Sequence, residues 1–159
     1  MSDSIYQRLQ QLSIELASPT TPAVPPAYVP CVQTGSLVFV SGHIAQKEGK
    51  PWVGQLGINV SVTEGQQAAR AAAIDLLSTL HTALGDLSRI RRLVKVLSLV
   101  NSSPNFTQQH IVTNGASELF NQVFGPETGA HARSAFGVAQ LPLGACIEIE
   151  LVVEVAPAA

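Results

Sequence analysis

The predicted order of elements is helix, strand, strand, helix, strand, helix, strand, strand. This is an α+β arrangement, with two long helices on one face of a mixed sheet of five or six strands. Three observations predict it. Residues 64–84 carry Ala69, Ala72, Ala73, Leu76, Leu77, Leu80 and Leu84 as a helical stripe. Residues 107–124 repeat the pattern with Ile111, Leu119, Val123 and Phe124. The chain closes on Ile-Glu-Ile-Glu-Leu-Val-Val-Glu-Val, which has the period-two alternation of a half-buried strand.

Taken in order, residues 4–17 predict an amphipathic helix, because Ile5, Leu9, Leu12 and Leu16 recur at helical spacing. The stretch SPTTPAVPPAYVP, with five prolines in thirteen residues, is a stiff extended connector. We place its boundary at residue 27, with residues 1–27 as helix and connector and 28–159 as the domain proper. In CVQTGSLVFVSGHIA, Gly35-Ser36 predicts a turn between two short strands. Glycines and prolines make QKEGKPWVGQLGINVS a loop, anchored by Trp52. For the first long helix, Thr63 and Gln66 have capping-box spacing and Gly85 stands where a helix-ending glycine belongs. RRLVKVLSLVN predicts a buried strand, and Gly125-Pro126 stops the second long helix. Strands near 132–139 and 146–155 finish the chain as a hairpin across QLPLGA.

Composition excludes several functions. At 159 residues the chain can bury a real core, and 46% hydrophobic content marks it as globular. Only 13% of residues are charged, against about 25% in an ordinary soluble domain. Apolar surface is therefore expected to meet another subunit. A net charge of −2 argues against nucleic acid, and Arg89, Arg91, Arg92 and Lys95 read as a solvated cluster. Cys31 and Cys146 read as buried free thiols, and no C-x-x-C or paired-histidine spacing suggests a metal. The amino terminus lacks the basic-then-apolar order of a signal peptide, and the uncharged run from Leu16 to Gln46 is too broken to span a membrane. A cytoplasmic location is the expectation.

Charge is oddly placed near the end of the chain. Arg133 is the only Lys or Arg after Lys95, and the last strand sets Glu148, Glu150 and Glu154 on one face. Direct antiparallel pairing would put Arg133 opposite Val152, between Glu150 and Glu154, with Glu148 about 13 Å away. Two readings follow: a structural ion pair at a strand edge, or a guanidinium fork for the two oxygens of a small acid. In the second, Glu148 reaches the same site through an intervening ligand or from a neighbouring chain.

HARSAFGVAQLPLGACIEIE, together with LVFVSGHIA upstream, resembles the YjgF/RidA family of small trimeric proteins. The likeness covers most of residues 28–155, while the helix and proline-rich segment before it look like a longer, divergent branch. The resemblance implies a chorismate-mutase-like fold, three subunits around a central barrel, and clefts between subunits. It also implies hydrolytic deamination of reactive 2-imino or 2-enamino acids without a cofactor. By the same resemblance Arg133 grips the substrate carboxylate and Glu148 orients the hydrolytic water, while Tyr28 and Ser41 line the cleft. Ala135 replaces a frequent family cysteine, leaving a backbone contact and no thiol role. A family asparagine on the second long helix maps to Asn114 or Ser117.

Other chemistry is weaker. Ser41 and His43 stand two apart on one strand with no third group, and His131 reads as a surface-turn histidine ahead of an acid–base group lining the cleft. Non-catalytic binding of a metabolite carboxylate is the alternative function. An RNA-cleaving role, known among relatives, is disfavoured by the charge.

Overall fold

Period-two alternation in the last strand separates the two faces of the sheet. Ile147, Ile149, Leu151, Val153 and Val155 are buried, whereas Glu148, Glu150, Val152 and Glu154 face the other way. The structure, a computed structural model, describes residues 4–18 and 26–157. Most of the proline-rich connector lies outside these residues. In chain order the elements are α1 (Ile5–Gln11), β1 (Cys31–Thr34), β2 (Leu37–Ile44), β3 (Gln46–Lys47), β4 (Lys50–Pro51), α2 (Val62–Leu84), β5 (Ile90–Asn101), α3 (Gln109–Thr128), β6 (Ala132–Val138) and β7 (Ile147–Val155).

Five strands make one mixed sheet in the order β1-β2-β7-β5-β6, and β3 with β4 forms a separate ribbon within the expected loop. β1 and β2 are the predicted hairpin, with Thr34 opposite Leu37 across Gly35-Ser36. Only β5 and β6 pair in parallel. The buried residues of β7 join Val96, Val100, Leu76, Leu77, Leu80, Leu119 and Phe120 in one core beneath α2 and α3.

The closing hairpin is not formed. β5 lies between β6 and β7, with Val96 opposite Arg133 on one side and Leu151 on the other. After β5 the chain returns through α3, so β6 enters in the same direction as β5 and occupies its free edge. The connection 139–146 must then pass the end of β5, a span of about 10 Å at ordinary strand spacing. Leu141 and Ala145 are buried along it, and Ala145 bridges to Val53.

Helix ends differ from expectation for local reasons. α2 is capped by Ser61 and Glu64, which satisfy each other's backbone N–H groups, so the helix starts before the Thr63–Gln66 pair. α1 stops at Gln11 although the apolar period runs on to Leu16. Ser13 takes φ 55°, its N–H donates to the Gln10 carbonyl, and the Ile14 N–H donates back to Leu9. This Schellman closure satisfies the last carbonyls and folds Ile14 against the core beside Leu9. In α3 the helix breaks at Gly125, with φ 82° and ψ 171°, where the sequence places its stop.

α2 and α3 cross closely at Gly115, where an added Cβ would run into the Gln66 carbonyl. Because that neighbour is backbone, relief requires the helices to separate. Gly115→Ala is therefore expected to destabilise the fold by about 1–3 kcal/mol, measured as a lower urea midpoint with an unchanged slope.

Candidate functional site

Arg133 lies on edge strand β6, in register with the fully buried Val96, so its side chain belongs to the face covered by helices. There α3 presents one face to it. The Arg133 Nη1 group donates to Asn114 Oδ1 at 2.8 Å and Ser117 Oγ at 3.1 Å, and Nη2 donates to the His110 carbonyl at 3.2 Å. All three acceptors are neutral, so among the described residues the guanidinium is held in place without its charge being cancelled. The Nε–H lies outside these bonds. Beside it opens a cavity of about 520 Å³ lined by Ser117, Asn121, Pro126, Ala130, His131 and Arg133. Neither Glu150 nor Glu154 is a partner: Glu150 stands opposite Leu97, and Glu154 opposite Arg92 and Leu37. The expected diagonal pairing fails because β5 separates β6 from β7.

Glu148 lies on the other face, between Leu99 of β5 and Ile44 of β2. β2 bulges between Val40 and His43, bringing Gly42 beneath the carboxylate. A Cβ at Gly42 would meet Glu148 Oε1, so any larger residue there would displace the carboxylate from this position. Partial burial, and then the charge of Glu150, push the Glu148 carboxyl above its ordinary range.

Ser41, in the same bulge, donates its hydroxyl to the Val29 carbonyl at 2.7 Å and its N–H to Pro30 at 2.9 Å. These bonds fasten the segment holding Tyr28, whose side chain is 65% exposed. Tyr28, Ser41 and Glu148 are thus connected through the β2 bulge, whereas Arg133 and Ala135 sit on the far edge strand. From register, Arg133 and Glu148 are about 10 Å apart across the sheet and about 10 Å along it, on opposite faces. One chain does not bring them together.

The structure also places residues that sequence left open. Asn114 and Ser117 both hold Arg133, and Ser117 in addition lines the cavity. His131 is half-buried, not a surface-turn residue: Nε2 lies 2.9 Å from Ser117 Oγ and Nδ1 2.6 Å from the Gly129 carbonyl. The three-residue spacing of Asn114 and Ser117 was visible in sequence, but nothing local pointed that helix face at β6. His43 turns away from Ser41 and meets Thr79 Oγ1 at 3.2 Å, so the two form no catalytic pair. Among the described residues no helix is long and apolar enough to cross a membrane.

Comparison with known proteins agrees with this architecture. The profile of the family described as "YjgF/chorismate_mutase-like, putative endoribonuclease" matches residues 7–155. The chain belongs to this family. Protein TCP17 of Trypanosoma cruzi is 48% identical over 154 residues, covering 96% of this chain and 95% of its own length. The crystal structure of Atu1372 from Agrobacterium tumefaciens, a protein of unknown function, is 42% identical with a TM-score of 0.85, covering 97% of this chain and 93% of that one. E. coli TdcF with bound serine shares the YjgF-type fold at 22% identity and a TM-score of 0.57, over 85% of this chain and 93% of its own.

A pH dependence follows from Glu148. Its folded-state pKa is raised, so its share of stability is complete below the unfolded value of about 4.3 and is lost as pH rises through the folded value. Glu148→Gln cannot ionise. Relative to wild type, its urea midpoint should be higher at pH about 7 than at pH about 4; an equal difference at both would show that the carboxylate carries no such penalty.

Proposed function

We propose that this YjgF-family protein hydrolyses small, reactive 2-imino or 2-enamino acids to 2-keto acids and ammonia, at clefts between three subunits. The observation that carries the reading is the Arg133 guanidinium, held by three neutral acceptors with its positive charge unanswered. An organic carboxylate supplies the missing anion, and a planar fork binds its two oxygens with defined orientation.

The opposite-face placement of Arg133 and Glu148 favours a site completed between chains. On the open face Phe39 and Phe136 are each 46% exposed and Val32 is 54% exposed, while Lys95 Nζ donates to Ser134 Oγ at 2.7 Å. Apolar surface of this kind, on a chain so poor in charge, suits the inner wall of a trimer. In the proposed barrel of three such sheets, the glutamate face of one subunit approaches the Arg133 edge strand of the next. Tyr28, Ser41 and the backbone at Ala135 complete the cleft in this proposal.

In the proposed reaction Arg133 fixes the substrate carboxylate, and water attacks the imine carbon. Glu148, its pKa raised by burial, takes a proton from that water and returns it to nitrogen. The proton of the new hydroxyl then passes to nitrogen as the carbonyl forms and the carbon–nitrogen bond breaks, releasing ammonia, so no redox partner is needed. Positioning with one acid–base group supplies about 10²–10⁴-fold, enough for an imine that already hydrolyses readily in water. A second reading, binding without turnover, is favoured by the serine bound to TdcF. Cleavage of RNA is disfavoured by the net charge of −2.

Ammonia release from freshly generated 2-iminopropionate tests the proposal. Arg133→Ala should lower kcat/KM about 100-fold or more, the loss of a bidentate charged contact, with oligomeric state unchanged. Glu148→Ala should lower kcat at nearly constant KM. Mixed oligomers of these two inactive variants should recover part of the activity, because some clefts then hold an intact Arg133 and an intact Glu148. No recovery would place both groups in the same chain's site, and binding of 2-oxobutyrate without ammonia release would favour the second reading.

A further inference from the structure

We infer that His131 is a positioning residue for the carboxylate site, acting on Arg133 through Ser117. The inference rests on the reading of Arg133 as a carboxylate clamp and goes beyond it to a group that acts through another side chain.

Hydrogen-bond direction makes the case. A backbone carbonyl can only accept, so the 2.6 Å contact between His131 Nδ1 and the Gly129 oxygen requires the proton on Nδ1. In the neutral ring Nε2 is then a bare acceptor. Ser117 Oγ lies 2.9 Å from it and must donate its only hydrogen there. That donation turns the lone pairs of Ser117 towards the remaining neighbour, Arg133 Nη1, 3.1 Å away. A serine hydroxyl inside a helix ordinarily donates back to the carbonyl four residues earlier or rotates in water. Here the histidine selects the one rotamer that accepts from the guanidinium.

The histidine is itself well supported. Phe120, fully buried, meets the ring edge-on at 5.9 Å and 88°. Gly129, whose carbonyl orients Nδ1, closes α3 two residues before the histidine. Chain geometry therefore sets the tautomer, the tautomer sets the hydroxyl, and the hydroxyl sets the guanidinium edge offered to a ligand. Orienting the fork before binding lowers the ordering cost at the moment the carboxylate arrives. His131 and Ser117 also line the cavity beside Arg133.

Two measurements test this. Heteronuclear NMR of the imidazole nitrogens in the unliganded wild-type protein should show His131 as the Nδ1–H tautomer; the Nε2–H tautomer would overturn the relay whatever the protein binds. Calorimetry with 2-oxobutyrate should show His131→Ala and Ser117→Ala each binding about tenfold more weakly, the effect of one lost hydrogen bond. The double variant should be no weaker than either single one. His131→Gln, whose amide oxygen can accept from Ser117, should recover most of the affinity. In turnover the loss should fall on KM with kcat nearly unchanged, a split that general damage to the fold would not produce. Wild-type affinity in His131→Ala, or additive losses in the double variant, would refute the relay. Absence of 2-oxobutyrate binding by wild type would instead refute the clamp, leaving the tautomer to decide the relay alone.

Discussion

The parallel pairing of β5 with β6 is the constraint on which the site depends. It puts the only Lys or Arg after Lys95 on a sheet edge directly beneath α3, in register with a buried valine. At that place the helix offers a carbonyl, an amide oxygen and a hydroxyl, and no carboxylate. A half-buried cation in such surroundings is ordered without being neutralised. Had β6 paired with β7, the same guanidinium would lie among glutamates and its charge would be spent on structure.

The acidic half of the chain obeys a second local constraint. β7 needs its odd-numbered residues for the core, so its glutamates must occupy the opposite face. The bulge in β2 narrows the space over one of them, and Gly42 fits because it has no side chain. Glu148 is partly desolvated as a result, while Glu150 stays exposed. Identical residues two apart on one strand thereby meet different surroundings. The pleat that separates core from glutamate face also divides the two candidate groups, which makes association between chains part of the functional proposal.

Much of the architecture was legible because local chemistry controls it. The two apolar stripes, the Gly35-Ser36 turn, the helix stop at Gly125 and the parity of β7 each follow from neighbours within a few residues. Helix starts were harder. Ser61 with Glu64 and Thr63 with Gln66 offer competing caps, and the charged carboxylate forms the stronger reciprocal bond with its serine. The end of α1 was hidden for a different reason: leucine spacing continues past Ser13, but the chain turns there to carry Ile14 onto the core.

From sequence alone came the element order, the faces of the last strand, the isolation of Arg133 from other Lys and Arg residues, and the family resemblance. Tertiary structure decided which strands are neighbours, and with that the partners of the arginine. Strand pairing depends on how a helix returns the chain across the sheet, a relation over dozens of residues that no periodicity encodes. His131 illustrates the limit most plainly. Its contacts are a carbonyl at the end of one helix and a hydroxyl on that helix's inner face, and the hydroxyl meets Arg133 only when α3 lies over β6.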